Sequence, residues 1–317
     1  MNIFRGLGSS DIATPTVVTL GVFDGLHLGH QEIIKTVAAR AKELSAVPTV
    51  ITFEPHPRAV LHPETTPPLL QTLDQKLEGM KYLGIDQVII LHFDMQLAAV
   101  TGEDFIRNII HNRLRAYEVY LGRGFAFGHN RGGNIQLLKQ LGSELGFIAG
   151  EVPEIRLHSL RISSTVIRKS LKSGRVNLPR KLLGRPYGIE GSVVEGYQKG
   201  REMSFPTANL QVENATIPAD GVYITLTLVD GAWHRSLTNI GVRPTFGGDS
   251  DRSIETFLID FKGDLYGKTL RLRFLHRLRA EMKFPDMKAL QEQIAYDFKR
   301  ANRYFASPIV QKNLEFR

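Results

Sequence analysis

Short apolar runs alternate with longer amphipathic segments through the first half of the chain. The apolar runs predict buried strands at 16–23, 48–54, 86–93, 117–122 and 146–152. The amphipathic segments predict helices at 27–44, 74–84, 102–114 and 134–146. Strands that alternate with helices predict a parallel sheet covered on both faces. Its ligands are expected at the carboxyl ends of the strands, near a point where the strand order reverses.

A different pattern begins at Gly184, where short β-rich segments are separated by Gly, Pro or Asp. Closely spaced strands with turn residues between them predict a small antiparallel barrel. The amphipathic segment 284–305 predicts a helix that closes this barrel. The expected fold class is therefore α/β followed by β, with a parallel-sheet domain at 1–183 and a barrel domain with a C-terminal helix at 184–317.

Composition narrows the possible functions. Of the 317 residues, 42% are hydrophobic and 23% charged, which is typical of a soluble globular protein. The absence of cysteine excludes disulfides and thiolate metal sites, and it fits the reducing cytoplasm, where we expect the protein to work. The N-terminus does not have the pattern of a signal peptide, and the longest apolar runs have the length of strands, so no membrane association is expected. The amino-acid sequence does not indicate the oligomeric state of the protein.

The net charge of +8 is spread over both halves of the chain. A nucleic-acid-binding protein more often concentrates its positive charge in one tail or patch. We therefore expect no nucleic-acid partner, and small polyanions such as nucleotides explain the excess better.

The segment GVFDGLHLGH, residues 21–30, lies where the first strand ends and the first long helix begins. Its glycines allow a tight turn and the close approach of a ligand. His27 and His30 are three residues apart, so they share one face of the first helical turn, where the helix dipole favours anions. Two imidazoles in this position can donate hydrogen bonds to phosphate oxygens as charge develops during attack on an α-phosphorus. The alternative is a turn that merely contains two histidines.

The segment SSTVIR, residues 163–168, predicts a second anion site. Ser163 or Ser164 would cap a helix, and Arg168 follows about one turn later, which suits β- and γ-phosphates. The alternative here is a capped helix with a solvated arginine. On an alternating α/β background, the two motifs together resemble the nucleotidylyltransferase superfamily, whose Rossmann-like domains transfer AMP or CMP and release pyrophosphate.

Two segments of the second half have the residue types of a phosphoryl-transfer site. Lys199, Gly200 and Arg201 form a basic turn that could lie over phosphates, and Thr207 and Asn209 share a face of an extended segment. Hydroxyl and amide oxygens are hard ligands, which suit Mg²⁺ that keeps several waters and bridges phosphates. The alternative is an apolar strand that merely contains a few polar residues.

Glu255 is the candidate general base of this second site. On an extended strand it shares a face with Phe257 and Ile259, where a carboxylate is costly to bury unless it has a partner or a function. Such a group can accept the proton of an alcohol that attacks a γ-phosphate. The alternative is a glutamate at the rim of an edge strand.

Motifs from both halves occur in one order along the chain: GVFDGLHLGH, FEPHPR, ISSTVIR, LLGRPY, FPTANL, NIGVRPTF, ETFLIDF, DLYG and LRAEMKF. Their order and spacing over about residues 16–305 resemble the bacterial bifunctional riboflavin kinase/FAD synthetases. The resemblance implies that domain 184–317 phosphorylates riboflavin to FMN with ATP and Mg²⁺, releasing ADP. It implies that domain 1–183 then adenylylates FMN with a second ATP, giving FAD and pyrophosphate.

The resemblance also implies roles for individual residues. The ATP site of the adenylyltransferase would comprise Gly21, Phe23, Asp24, His27, His30, Ser163, Ser164, Thr165 and Arg168. The kinase would hold ATP with Lys199, Gly200 and Arg201, and metal and phosphates with Thr207 and Asn209, while Glu255 would be its base. The flavin would rest on Phe53, Phe125 and Phe127, and riboflavin would also contact Glu255.

The segment 121–133 departs from the family pattern at two positions. The family usually has Asp or Asn where this chain has Gly124, and Arg where it has Ala126. Because both missing groups are polar, we expect adenylyl transfer to be the slower activity. Three alternatives remain at this point: a chain with kinase activity only, another nucleotidyltransferase (for example one acting on phosphopantetheine) with an accessory barrel, and a basic RNA-binding barrel.

Overall fold

The computed structural model describes residues 1–7, 14–195, 207–243 and 251–314. The predicted kinase residues Lys199, Gly200 and Arg201 lie outside these ranges. The chain divides into two compact units, Met1–Ser164 and Thr165–Arg317.

The first unit is built on a sheet of six parallel strands. In chain order they are β1 (Asn2–Arg5), β2 (Thr16–Leu20), β3 (Val47–Glu54), β4 (Gln87–His92), β5 (Ala116–Gly122) and β6 (Ile148–Val152). Their order across the sheet is β1-β4-β3-β2-β5-β6. The chain therefore leaves β2 toward β3 and β4 on one side, and later places β5 and β6 on the other. This reversal makes the carboxyl end of β2, where the GVFDGLHLGH segment begins, the topological switch point.

Helices pack on both faces of this sheet, as predicted. They are α1 (Leu28–Glu43), α2 (Pro57–Leu61), α3 (Leu73–Tyr82), α4 (Met95–Ala99), α5 (Gly102–Asp104) with a π-helical continuation over Phe105–Arg113, and α6 (Ile135–Leu145). Alternate residues of β2 point to opposite faces, so Val17 packs with the apolar side of α1 and α3. Val18 packs with the π-helical segment and α6.

Two features of this unit were not expected from the sequence. β1 adds a parallel strand beside β4, but its four residues are mostly exposed and carry no apolar alternation to reveal it. The helix predicted at 102–114 winds as a π-helix over most of its length, from Phe105 to Arg113. Its apolar spacing is that of any amphipathic helix, so the sequence pattern does not distinguish a π-helix from an α-helix here.

The second unit contains a closed antiparallel barrel, which confirms the predicted fold class. Its strands are β9 (Tyr187–Val194), β10 (Ala208–Val212), β11 (Gly221–Val229), β12 (Ala232–Arg243), β13 (Asp251–Leu258) and β14 (Thr269–Arg279), in the order β10-β13-β12-β11-β14-β9. A two-stranded hairpin of β7 (Arg156–Leu157) and β8 (Leu160–Arg161) precedes it in the chain. The remaining helices are α7 (Ser164–Lys172), α8 (Asn177–Leu183), α9 (Met287–Ala306) and α10 (Pro308–Leu314).

Helix α9 covers one outer side of the barrel. Its residues Ala301 and Phe305 are buried against Ile224 and Leu237 of β11 and β12. The opposite faces of these strands point into the barrel and carry fully buried hydroxyls, among them Thr225, which bonds Ser236 at 2.7 Å and Thr238 at 2.8 Å. Helix α8 also contacts the barrel, at β9 and β14.

Candidate active sites

The turn that follows β2 has an unusual backbone. Gly25 has φ +84°, and a Cβ atom there would lie only 2.6 Å from Leu70. Phe23 and Leu26 also have positive φ values, 53° and 44°, although both carry side chains. Such values are rare outside glycine, asparagine and aspartate, so the surrounding structure must hold this turn in place.

Hydrogen bonds from two other segments fix the same turn. The Leu70 N–H donates to Asp24 Oδ1 at 2.8 Å, and the Gln71 side chain donates to Phe23 O at 3.4 Å. The Ser164 hydroxyl donates to Asp24 O at 2.8 Å, although the two residues are far apart in the chain. Of the predicted ATP-site residues, Asp24 and Ser164 are thus in direct contact.

The two histidines of the turn are stacked on each other. His27 is the N-cap of α1, and its Nδ1 accepts the His30 N–H at 3.3 Å. The ring centroids of His27 and His30 are 3.6 Å apart, and the edge of the Phe23 ring contacts His30 at a centroid distance of 5.3 Å. Because its Nδ1 accepts a hydrogen bond, neutral His27 carries its proton on Nε2 and can donate from there.

Burial makes both histidines weak bases. It lowers the pKa of His27 to about 4. The pKa of His30 is also well below its usual range, because of burial and the nearby charges of His27 and Lys76. Both imidazoles are therefore neutral near pH 7, so they can donate hydrogen bonds to a phosphate but supply no positive charge.

The SSTVIR segment contains the start of α7, where the sequence predicts that a helix begins. The helix begins at Ser164, with Ser163 directly before it, Thr165 in its first turn and Arg168 one turn further on. The Ser164 hydroxyl donates to Asp24 O, so this last residue of the first unit contacts the GVFDGLHLGH turn.

A pocket of about 300 Å³, including its open mouth, lies beside this turn. It is lined by Val22, Asp24, Phe53, Glu54, His56, Leu69, Gln71, Leu73 and Lys76. Phe53, one of the predicted flavin contacts, is therefore a wall of the pocket. Lys76, on α3, is only 7% exposed, and sequence reasoning missed it because its segment has the pattern of an ordinary amphipathic helix.

The other two predicted flavin contacts lie on a loop after β5. Phe127 is buried in the core against Phe105, at a ring distance of 5.4 Å, and Phe125 stacks on Phe127 at 6.4 Å. On the same loop Gly124 has φ +72° and open space around its Cα, and Ala126 is half-buried. A Cβ atom at 124 would meet no other atom within 4 Å, but the positive φ strains most side chains there, and asparagine and aspartate tolerate it best.

Register in the barrel brings the candidate kinase residues together. Asn209 of β10 pairs with Glu255 of β13, and Glu255 pairs in turn with Asn239 of β12. Directly paired residues of antiparallel strands point to the same face, so the three polar side chains form a row on the outer face of the barrel. Thr207 lies just before β10, and its hydroxyl donates to Glu255 Oε2 at 3.5 Å.

The face that carries Glu255 becomes apolar further along the strand, as predicted. Phe257, two residues on, packs against Phe298 of α9 at a ring distance of 6.2 Å. Ile259 lies beyond the end of β13, where it is buried in the same cluster. Asn239 was not singled out from the sequence, although it begins the NIGVRPTF motif and only the register reveals its place beside Glu255.

Two family models match the chain. FAD synthetase matches residues 9–166, and riboflavin kinase matches residues 183–305. The first range contains the histidine turn, the pocket and the start of α7. The second contains the row of polar residues on the barrel.

Curated relatives match nearly the whole chain. A bifunctional riboflavin kinase/FMN adenylyltransferase of Pseudomonas fluorescens is 37% identical over 292 residues, covering 92% of this chain and 93% of the relative. The protein with the same description from Haemophilus influenzae is 34% identical over 309 residues, covering 97% of this chain and 100% of the relative. These matches favour the flavin interpretation over the phosphopantetheine and RNA-binding alternatives.

One solved structure has the same overall fold. It is described as a macrolide-efflux protein from Streptococcus pneumoniae, and it superposes with a TM-score of 0.87 at 28% identity, covering 95% of this chain and 99% of that one.

Across the residues that the structure describes, we find no helix with the length and apolar character needed to span a membrane.

The histidine turn at the switch point of a parallel sheet and the row of polar residues on a closed barrel coincide with the two family matches. Relatives above 30% identity extend this match over both halves at once. The chain therefore belongs to the family of bifunctional riboflavin kinase/FMN adenylyltransferases.

Proposed function

We propose that this chain makes FAD from riboflavin in two ATP-dependent steps. Its riboflavin kinase phosphorylates riboflavin to FMN, and its FMN adenylyltransferase joins FMN to AMP. The observation that carries the proposal is the presence, in one chain, of a histidine turn suited to adenylyl transfer and a carboxylate suited to activating an alcohol. We assign the first step to domain 184–317 and the second to domain 1–183.

In the kinase step, Glu255 takes the proton of the riboflavin 5′-hydroxyl. The hydroxyl oxygen then attacks the γ-phosphorus of ATP, the bond to the β-phosphate oxygen breaks, and ADP leaves. The Thr207 hydroxyl orients the carboxylate by donating to its Oε2. Positioned proton acceptors of this kind usually contribute about 10²–10⁴-fold to rate.

The residues beside Glu255 fit a magnesium ion bound mainly through ATP. Thr207 and Asn209 offer a hydroxyl and an amide oxygen, and the described residues contain no cluster of three or more acidic or histidine ligands. Such a sparse set of oxygens suits Mg²⁺, which keeps waters and binds phosphates. When bound, the ion would neutralise charge on the phosphates; Thr207 and Asn209 would hold it.

In the adenylyl step, a phosphate oxygen of FMN attacks the α-phosphorus of ATP, and pyrophosphate leaves as the α–β bond breaks. The second pKa of a phosphate monoester is about 6, so the FMN phosphate is already mostly a dianion at pH 7. This nucleophile therefore needs no base to remove a proton. The low pKa of His27, about 4, fits that requirement, because a neutral imidazole donates its Nε2 proton to an oxygen without accepting one. Arg168 would bind the departing phosphates.

The proposal is tested by incubating the full chain with riboflavin, ATP and Mg²⁺ and separating riboflavin, FMN and FAD by chromatography. We expect FMN to appear first and FAD to follow. A chain that formed FMN but no FAD, even from supplied FMN, would be a kinase only, which is the alternative favoured by Gly124 and Ala126. No FMN at all would refute the kinase assignment.

We further propose that the chain acts in the cytoplasm, without nucleic-acid or membrane partners. The absence of cysteine and the even spread of positive charge over both halves support this assignment.

A further inference from the structure

The pocket beside the histidine turn contains a buried lysine, Lys76, that has no assigned role in either proposed reaction. Lys76 extends from α3 and is 7% exposed. Its ammonium donates to Thr52 Oγ1 at 3.2 Å and to Val22 O at 3.4 Å. Both acceptors are neutral, and an ammonium has three N–H donors, so one donor is left over.

Lys76 has no close counter-ion among the residues that the structure describes. No carboxylate there forms an ion pair with it, although Asp24 and Glu54 line the same pocket and attract its charge from further away. Asp24 directs one carboxylate oxygen to the Leu70 N–H instead. Burial lowers the pKa of Lys76, and Glu54 and Asp24 oppose that effect. A buried cation without an ion-pair partner is stabilised when an anion binds beside it.

The histidines make this cation more important. His27 and His30 are neutral near pH 7, so neither supplies positive charge to a phosphate. Lys76 is close enough to His30 for its charge to help lower the pKa of that imidazole. Lys76 therefore places one cation near the two neutral imidazoles, in a pocket that Asp24 and Glu54 also line.

We propose that Lys76 binds a phosphate oxygen at the point of adenylyl transfer. This inference rests on the proposed FMN adenylyltransferase activity. The phosphate belongs either to FMN or to the α-position of ATP, since both must meet beside His30 when the new bond forms. Thr52 and Val22 hold the lysine in place before the substrate binds.

The test replaces Lys76 with methionine, which keeps the length and removes the charge, in the full chain. Lys81→Met is the matched control, because Lys81 lies on the same helix and is exposed. FAD formation from supplied FMN and ATP should fall about 10²-fold in Lys76→Met, as expected for a lost donor to a developing charge, and stay unchanged in the control. FMN formation from riboflavin should stay unchanged in both.

The kinetic constants distinguish the two phosphates. A raised KM for FMN alone identifies the phosphate of FMN, whereas a lowered kcat or a raised KM for ATP identifies the α-phosphate. FAD formation by Lys76→Met at the rate of Lys81→Met would overturn the inference. It would leave the adenylyltransferase assignment intact. A wild-type chain that makes no FAD would instead refute that assignment.

A structural role for Lys76 makes a different prediction. Removing an uncompensated buried ammonium should leave the unfolding free energy unchanged or raised. Lys76→Gln serves as a second variant, because its amide can still donate to Thr52 and Val22. If both variants unfold more easily, and lose FAD synthesis only in proportion to the unfolded fraction, Lys76 is structural and the inference fails. Full folding with a selective loss of FAD synthesis in either variant supports it.

Discussion

Lowering the pH from about 7.5 to about 5 should destabilise the first unit, because its fold buries His27 in the neutral form. The pKa of His27 is about 4 in the folded chain against 6.5 for an ordinary histidine. Between these two values the unfolded chain binds a proton that the folded chain does not. Stability is therefore complete above pH 6.5 and is lost progressively as the pH falls toward about 4.

The size of the effect follows from the difference in pKa. A shift from 6.5 to about 4 corresponds to about 3 kcal/mol in the limit of low pH. At pH 5 the unfolded histidine is almost fully protonated and the folded one hardly at all, so the loss from His27 is about 2 kcal/mol. His30 acts in the same direction, because its pKa is also lowered by burial.

The measurement is urea unfolding of the full chain at both pH values. The only tryptophan, Trp233, lies in the barrel with the Arg273 guanidinium 4.2 Å from its ring, so its fluorescence reports the second unit. The transition seen by circular dichroism but not by Trp233 then reports the first unit.

His27→Gln, whose amide oxygen can still accept the His30 N–H, should reduce the pH dependence of the unfolding free energy by about 2 kcal/mol. The exposed His62→Gln should not. Equal pH dependence in all three proteins would show that His27 is not buried as a neutral group.

Two further predictions concern the pocket loop and the second unit. Gly124→Asn with Ala126→Arg should raise FAD synthesis and leave FMN formation unchanged. Each added side chain can form a hydrogen bond to a charged ligand, and such a bond contributes about 1.5–3 kcal/mol. Rates of both steps in the double variant check this, and no gain in FAD synthesis would mean that other residues fill the two roles. A fragment 165–317 should unfold at a higher urea concentration than a fragment 184–317, because α8 packs on β9 and β14. Its Leu182 is fully buried, and burying such a side chain stabilises the fold by about 1.5–3 kcal/mol. Equal midpoints would show that α8 contributes nothing to the barrel, and kinase activity of both fragments tests whether 184–317 suffices for FMN synthesis.

Local patterns in the sequence predicted most of the architecture. Strands such as β2 are short buried runs, and helices such as α3 are amphipathic segments, so both leave a clear signal. The histidine turn was also predictable, because its chemistry lies within ten consecutive residues. β1 was not, since a short and mostly exposed strand is specified by its partner β4 rather than by its own residues.

The parts of the sites that sequence reasoning missed depend on long-range contacts. Lys76 is buried only because α3 packs beside Thr52 and Val22, and its own segment would suit an exposed lysine equally well. Asn239 lies beside Glu255 only because of the register between β12 and β13. The low pKa values of the two histidines likewise come from burial in the tertiary structure rather than from their spacing.

The central claim is that one chain carries two ATP sites that act in sequence, and a crossed pair of variants tests it most directly. Chromatography of the products formed from riboflavin, or from supplied FMN, gives both rates for Glu255→Gln and His30→Ala. We expect Glu255→Gln to lower FMN formation by about 10²–10⁴-fold while it still converts supplied FMN to FAD. We expect His30→Ala to convert riboflavin to FMN and to lower FAD formation by about 10²–10³-fold. Loss of both activities in either folded variant, or normal kinase activity in Glu255→Gln, would contradict the account.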